Sequence, residues 1–318
     1  MRVLLTGSSG WLGRFLAPKL QTAGHAVVGL DIVAGDATDV LGSVADRGTI
    51  ERVLADHLIE AVIHAGALHK PDITRCSPQT FVDGNVTGTL NLLQAAVAAR
   101  HRQFVFTSTT SMMISHAIAE ARGNAAVWLD ETAGPLEPRN IYGVTKLAAE
   151  GLCRLHSLEH GLNCAVLRTG RFFPEEDDTD RGSSGENLKA NELLHRRLTV
   201  EDAADAHVVA LEKAVGFEIF ILSAPPPFAR GDAEALKSDA AGVIARYFPD
   251  AAALYARRGW QLPQSISRLY DPAKAERLLG FRAKADFAAL LASLRSDAPL
   301  PFAHDPDYVS PSTRFWHG

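Results

Sequence analysis

A tyrosine and a lysine one helical turn apart, Tyr142 and Lys146, form the pattern in this chain with the plainest chemical use. At positions i and i+4 of a helix both side chains leave the same face. A phenol, with an ordinary pKa of ~10, is a poor base at neutral pH, and an ammonium beside it favours the ionised form. Such a pair suits proton transfer to and from an alcohol oxygen. A surface tyrosine and lysine share this spacing often enough that position has to decide between the readings. Here the pair follows an apolar run, 103–106, that leads into Thr107, Ser108, Thr109, Thr110 and Ser111. Those hydroxyls fall at the carboxyl edge of a predicted strand, where open α/β sheets bind ligands.

A second pattern opens the chain. Thr6-Gly7-Ser8-Ser9-Gly10-Trp11-Leu12-Gly13 lies between an apolar run, 2–5, and an amphipathic stretch, 11–22. Gly7 permits a tight turn, Gly10 lets backbone approach a pyrophosphate, and Gly13 lets a helix pack closely on its strand, with the helix N-terminus facing the anion. A plain strand-to-helix turn is the bland alternative. The second run, 26–30, ends at Asp31, whose carboxylate can accept hydrogen bonds from an adenosine ribose and would repel a 2′-phosphate. NAD is therefore favoured over NADP, although Arg14 keeps NADP open and Asp31 could simply cap a turn. After the run 61–64, Ala65-Gly66-Ala67 is small enough for backbone to lie against a dinucleotide, and His64 reads as a structural strand-end histidine.

The elements that must position these groups follow from periodicity. Buried strands are predicted over 2–5, 26–30, 61–64, 103–106 and 163–167, with helices over 11–22, 49–57, 79–100 and 140–160 between them. This alternation predicts an α/β doubly wound parallel sheet covered on both faces. Beyond Phe173 a polar, acidic loop, 174–187, reads as a mobile surface loop. A helix over 200–213 and a strand over 217–222 bring the chain back to the sheet before Pro225-Pro226-Pro227. The predicted organisation is thus 1–170 with 199–223 as a dinucleotide-binding domain, and 171–198 with 224–318 as a smaller, discontinuous substrate-binding region. The proline-bearing tail 298–318 is expected to be irregular and laid over the surface.

Composition sets outer bounds. The 318 residues carry 32 Lys+Arg against 37 Asp+Glu, a mildly acidic balance that gives no electrostatic reason to bind nucleic acid or anionic lipid. Cys76, Cys153 and Cys164 form no paired motif, so neither a disulfide framework nor a metal site is expected, and a reducing cytoplasm fits. No apolar run approaches the ~18 residues of a membrane helix, and no signal peptide is expected at the start.

Taken together, Thr6–Gly13, Asp31, His64–Ala67, Asn85, Thr107–Thr109 and Tyr142-x-x-x-Lys146 resemble the extended short-chain dehydrogenase/reductases, specifically the NAD-dependent epimerase/dehydratase group with its Rossmann-type fold. The likeness is specific over 1–170. It is weaker at 200–207, 217–223 and 271–280. The resemblance implies Tyr142 as general acid/base and Lys146 as the group that tunes it and holds the nicotinamide ribose. It implies Thr109 as the hydroxyl that binds the reacting oxygen, with Thr107 and Ser108 in support, and a one-residue slip would exchange Ser108 with Thr109. Implied cofactor residues are Gly7, Ser9, Gly10, Trp11, Leu12, Gly13, Asp31, Ala65, Gly66, Ala67, Asn85, Thr107, Thr169, Tyr142 and Lys146. A structural buried amide is an equal reading of Asn85.

The departures from the group are informative. Its dehydratases place an acid directly after the active-site hydroxyl, whereas Thr110 and Ser111 follow Thr109 here, so dehydration is disfavoured. Arg171 stands near a position where nucleotide-sugar epimerases carry asparagine, and the stretch from Phe173 to Val200 lacks a Gly-Asp-Gly segment. Substrate contacts are expected from Ser108, Thr109, His69, Lys70 and Arg171. Arg171, Arg196 and Arg197 suit a phosphate or carboxylate, although ion pairing with nearby acids is the commoner role of each. The expected reaction is NAD-dependent hydride transfer at a secondary alcohol of a sugar or sugar nucleotide, with epimerisation through a transient ketone. Net oxidation or reduction of a sugar, polyhydroxy acid or other small alcohol is the alternative, and a non-catalytic dinucleotide sensor a minor one. The group's members commonly pair through the helices corresponding to 79–100 and 140–160, which implies a homodimer.

Overall fold

The computed structural model describes residues 1–175 and 184–311. Seven parallel strands form the main sheet in the order β3-β2-β1-β4-β5-β7-β8: β1 (Arg2–Thr6), β2 (Ala26–Asp31), β3 (Val40–Leu41), β4 (Ala61–His64), β5 (Gln103–Thr109), β7 (Asn163–Thr169) and β8 (Phe217–Leu222). The chain starts at the centre, builds outward through β2 and β3, then crosses back to β4, so the order reverses between β1 and β4. Such a switch point leaves a crevice at the carboxyl ends of the strands. Register brings Thr6 opposite His64 and Thr109 opposite Thr169 along that edge.

Strands buried on both faces need helices on each side. α1 (Trp11–Thr22) and α8 (Val200–Leu211) cover one face, packing Leu12, Leu16, Leu20, Ala203 and Ala206 against Val3, Leu5 and Ile63. α2 (Arg47–Asp56), α4 (Gly88–Ala98) and α6 (Ile141–His160) cover the other, with Ile50, Leu92, Leu93, Ala149 and Cys153 against Leu4, Val62, Phe104 and Val166. The helix expected over 79–100 runs as α3 (Pro78–Phe81), a π-helical segment Val82–Thr87, and α4. β5 is longer than the run 103–106 suggested, because the hydroxyl series continues to pair with β7 through Thr109.

A second core gathers Leu193, Leu194, Val243, Ile244, Tyr255, Trp260, Leu269, Phe287, Leu290 and Phe302. It is built from α7 (Gly185–Glu192), α9 (Ala233–Ser238), α10 (Ala240–Tyr247), α11 (Ala251–Arg257) and α12 (Phe287–Ser296) around a small parallel pair, β6 (Val127–Leu129) with β9 (Arg268–Tyr270). Two segments cross the expected partition. Ala126 and β6, reached through α5 (His116–Ala119), join this second core. Conversely Ala275, Leu279, Phe281 and Ala283 return to pack beneath α1 and α8. Among the described residues no helix is long and apolar enough to cross a membrane, and no group of His, Cys, Asp and Glu could hold a metal ion.

Candidate active site

The carboxyl edge of the sheet and the second core enclose a cavity of about 1420 Å3. Of the residues expected at the site, all but Ser9, Gly13 and Asn85 line it. At one end Gly7 has φ +73°, and a Cβ there would lie 2.6 Å from the Gly66 nitrogen, so only glycine fits where the two backbones meet. Gly13 serves packing: a Cβ on it would stand 2.2 Å from the Gly7 carbonyl. Ser9 differs from the expectation of a cofactor contact, because its hydroxyl donates to the Val33 carbonyl at 2.9 Å and meets Thr38 Oγ1 at 2.7 Å. Its backbone N–H instead donates to Asp31 at 3.0 Å, which fixes the carboxylate at the rim of the glycine turn. Burial raises the Asp31 pKa, while backbone hydrogen bonds from Ser9 and Val33 act against it.

The turn after β4 is held by an ordered chain of protons. Gly66 N–H donates to Thr6 Oγ1 at 3.1 Å, and Thr6 Oγ1 meets His64 Nδ1 at 2.7 Å. His64 Nε2 meets Thr89 Oγ1 at 3.1 Å, and Thr89 donates to the Asn85 carbonyl at 2.7 Å. Because Thr89 spends its proton on that carbonyl, His64 must donate from Nε2 and accept at Nδ1. Burial accordingly holds its pKa down to about 3. Asn85 sits in the π-helical segment, where its amide accepts from Leu68 N–H at 2.9 Å and donates to Leu68 O at 3.0 Å and Thr145 Oγ1 at 3.1 Å. Its amide ties the β4 turn to α6, in line with the structural reading given for it above. A single-residue π insertion, common at functional sites, aims it there.

Asn140 caps α6 by accepting from Gly143 N–H at 3.0 Å, which puts Tyr142 in the first helical turn and Lys146 on the next. Burial pushes the phenol of Tyr142 up to about 12; a hydrogen bond with the Thr109 side chain favours the phenolate and the Asp72 carboxylate disfavours it. Thr109 Oγ1 accepts from Ser111 N–H at 3.1 Å, so its own proton is free to be donated into the cavity that Tyr142 lines. Lys146 Nζ donates to the Thr107 carbonyl at 2.6 Å and stands 4.0 Å from the Phe106 ring centroid. Burial lowers its pKa to about 7.

The choice between Ser108 and Thr109 is decided by the pleat. Ser108 donates to Glu150 Oε1 at 2.6 Å, and Glu150 is bidentate with Arg168, at 3.0 Å to Nε and 2.7 Å to Nη2. Its hydroxyl is thus engaged with Glu150, although Ser108 also lines the cavity as expected. Thr107 Oγ1 contacts His207 Nε2 at 2.7 Å, and Thr169 Oγ1 donates to the Ser108 carbonyl at 3.1 Å.

The opposite wall is cationic. Lys70, Arg139, Arg171, Arg196 and Arg268 line the cavity from five separate segments. Burial and the four arginines lower the Lys70 pKa. Glu192, almost fully buried, pairs with Arg196 at 2.8 Å, Arg197 at 2.9 Å and Arg171 at 3.5 Å. Burial would raise its pKa, but the three guanidinium groups outweigh that and hold it at about 2. The ion-pair role foreseen for these arginines is present, and Arg171 and Arg196 also face the cavity. His69 stacks on Phe173 with centroids 5.0 Å apart, and Asp72 accepts from His69 N–H at 2.9 Å, fixing the overhanging loop. The acidic run 175–180, part of the stretch read as a mobile surface loop, lies outside the described residues beyond Glu175. Arg139, three residues before Tyr142 and next to the Asn140 cap, was a signal available and unused, whereas Arg268 was missed because only the pairing of β9 with β6 brings it to the cavity.

The parallel sheet, glycine turn and Thr109/Tyr142/Lys146 arrangement define an extended short-chain dehydrogenase/reductase. The chain belongs to the NAD dependent epimerase/dehydratase family, whose model matches residues 3–222, and it is an NAD-dependent enzyme. It is similar to UDP-glucose 4-epimerase of Bacillus subtilis, 25% identical over 333 residues that cover 89% of this chain and 93% of that one. The UDP-glucose 4-epimerase of Azospirillum brasilense is 26% identical over 249 residues, covering 66% and 68%. Among solved structures, a Thermotoga maritima UDP-glucose 4-epimerase with UDP-glucose superposes with a TM-score of 0.65 at 22% identity, covering 90% and 94%. An Agrobacterium tumefaciens short-chain dehydrogenase/reductase superfamily protein with bound NAD gives 0.64 at 23%, covering 93% and 98%.

Proposed function

We propose that this enzyme inverts a carbinol centre of a sugar or sugar nucleotide by oxidising it to a transient ketone and reducing that ketone from the other face. The observation that carries this reading is that Thr109, Tyr142 and Lys146 line one cavity at the carboxyl edge of the sheet, with Thr110 and Ser111 following where an eliminating acid would stand. Bound NAD supplies the hydride acceptor for the first half and the hydride donor for the second. Tyr142 Oη takes the carbinol proton as the C–H bond is lost, and gives it back to the ketone oxygen on return. Thr109 holds that oxygen throughout, and the Lys146 ammonium lowers the cost of the phenolate. Gly7, Gly10, Trp11, Leu12, Asp31 and the turn Ala65-Gly66-Ala67 would hold the dinucleotide, and Thr107, Lys146 and Thr169 its nicotinamide end.

Substrate contacts would come from Thr109, His69, Lys70 and Arg171. The UDP-glucose 4-epimerases among the relatives support a nucleotide sugar. The cationic wall favours a second reading, net oxidation of a sugar or polyhydroxy acid whose carboxylate that wall holds. Chromatography of products from UDP-glucose, UDP-galactose and a uronate panel separates the two. Interconverted sugars without accumulation of reduced cofactor are expected, and stoichiometric reduced cofactor with a uronate would replace the first reading by the second.

The partner we propose is a second copy of the chain. Along α6 the residues Val144, Ala148, Gly151, Leu155 and Leu158 are exposed at alternating spacings of four and three, an apolar seam of the kind that pairs helices. Leu158 is 72% exposed, a costly position for leucine in a monomer. Sedimentation is expected to give a dimer that Leu155→Glu with Leu158→Glu dissociates; a wild-type monomer would reject the pairing.

A further inference from the structure

The tail was expected merely to lie over the surface, yet its path is specific. After α12, Asp297 takes a left-handed conformation and turns the chain back. Phe302, 7% exposed, anchors in the second core with the Arg197 guanidinium 6.0 Å from its ring. Downstream, Lys189 Nζ lies 2.9 Å from His304 Nδ1 and donates to the Glu175 carbonyl at 2.8 Å, while Asp305 N–H donates to Pro174 O at 3.0 Å.

The Asp305 bond and the following turn, in which Tyr308 N–H donates to Asp305 O at 3.1 Å, carry the chain across the cleft mouth to the other domain. There the Tyr308 ring meets Trp11 edge-on with centroids 5.0 Å apart, and Arg14 lies against both rings, 5.1 Å from Trp11 and 5.8 Å from Tyr308. Ser310 and Pro311 then line the same cavity as Gly7, Gly10 and Trp11.

We propose that residues 299–311 are a strap across the cofactor cleft, latched by Tyr308 on Trp11, and that dinucleotide enters and leaves only when this latch opens. The two ends of the strap are held unequally. Phe302 is buried in a core, whereas Tyr308 rests on one ring pair and one cation contact at the first turn of α1, the turn that faces the pyrophosphate. Contacts of those two kinds together shift an equilibrium by about tenfold. Opening therefore swings the outer part of the strap about its Phe302 anchor and leaves the second core intact. A strap that slows release keeps NAD on the enzyme between the two halves of a self-recycling reaction.

The test is the kinetics of NADH binding, followed by fluorescence on mixing and on chasing with excess NAD, which needs no knowledge of the substrate. Tyr308→Ala and a chain ending at Asp305 are expected to raise association and dissociation rates alike by about tenfold, with little change in Kd. Tyr308→Phe should behave as wild type, because the Tyr308 hydroxyl makes no hydrogen bond. Unchanged rates in both altered chains would overturn the strap, and so would faster release without faster entry, which marks a direct cofactor contact instead. Hydrogen exchange of the wild-type protein provides a check that does not depend on the variants folding. The Asp305 and Tyr308 amides should exchange faster than the amides of α12, and about equally with and without NAD, because the latch opens in both states; exchange as slow as that of α12 would count against a latch that opens.

Discussion

Ser108 and Thr109 are consecutive on β5 and their hydroxyls are turned to different partners: Ser108 donates to buried Glu150 at 2.6 Å, while Thr109 Oγ1 accepts from Ser111 N–H at 3.1 Å in the cavity that Tyr142 also lines. Alternation along a strand makes this division unavoidable. Thr109→Ala is expected to lower kcat by about 10²-fold, the scale for losing one donor to a reacting oxygen. Ser108→Ala should leave kcat within a few fold and instead cost about 1–3 kcal/mol of stability, because Glu150 loses a buried partner. Steady-state kinetics and denaturant melts on the same two proteins check both halves.

Lys146 links the site to stability through pH. Its folded pKa of about 7 lies below its ordinary 10.5, so the unfolded chain holds the extra proton between those values. The cost of the buried ammonium is fully present below pH 7 and is relieved as pH rises toward 10.5. Lys146→Met should therefore raise the Tm of the cofactor-free protein more at pH 6.5 than at pH 9.5. A Tm difference that does not change with pH would show that the ammonium is not desolvated.

Tyr142→Phe should retain NAD binding and lose turnover by about 10³-fold, within the range for removing a general acid/base. Cofactor titration alongside the kinetics separates this from a binding defect. Retained turnover would assign the proton transfer to another group.

Much of this site could be read from local sequence. The turn Gly7 to Gly13 and the acid ending β2 are short-range signals, since the positive φ of Gly7 is a local demand for glycine, which its close approach to Gly66 then reinforces. The i, i+4 relation of Tyr142 and Lys146 likewise needs only a helix. What could not be read depends on faces and distant pairings. Whether Ser108 or Thr109 faced Tyr142 turned on the pleat, and Asn85 was aimed by a π insertion that leaves no periodic trace. β6 pairs with β9 from far along the chain, which brings Arg268 to the cavity. A second signal was available and unused: Arg168 ends an apolar strand, and Glu150 lies one turn beyond Lys146, so each charge needed a buried partner.

Two neutral histidines should make the fold acid-sensitive. His207 Nδ1 faces the Ala203 carbonyl at 2.7 Å and so carries the proton, leaving Nε2 to accept from Thr107. Burial lowers its pKa to about 4, and that of His64 to about 3, against an ordinary 6.5. The unfolded chain takes up these protons first, so the stability they contribute is present above pH 6.5 and is lost progressively as pH falls toward 4 and 3. Tm should drop between pH 6.5 and 4, and His207→Gln should flatten part of that slope.

Glu192 should be the costliest single carboxylate to neutralise. Three guanidinium groups converge on it, and its side chain is 1% exposed. Replacing it by Gln leaves those cations without their shared counter-charge in a buried place, a loss of about 3–5 kcal/mol for a broken buried pair. Its folded pKa of about 2 lies below the ordinary 4.5, so its contribution is full above pH 4.5 and disappears as pH falls through 2. Glu192→Gln should therefore lower Tm most at neutral pH and converge on wild type in acid. Arg171 and Arg196 also face the substrate cavity, so the same variant should raise the KM for an anionic substrate more than it lowers kcat, because the two guanidinium groups lose the carboxylate that orients them.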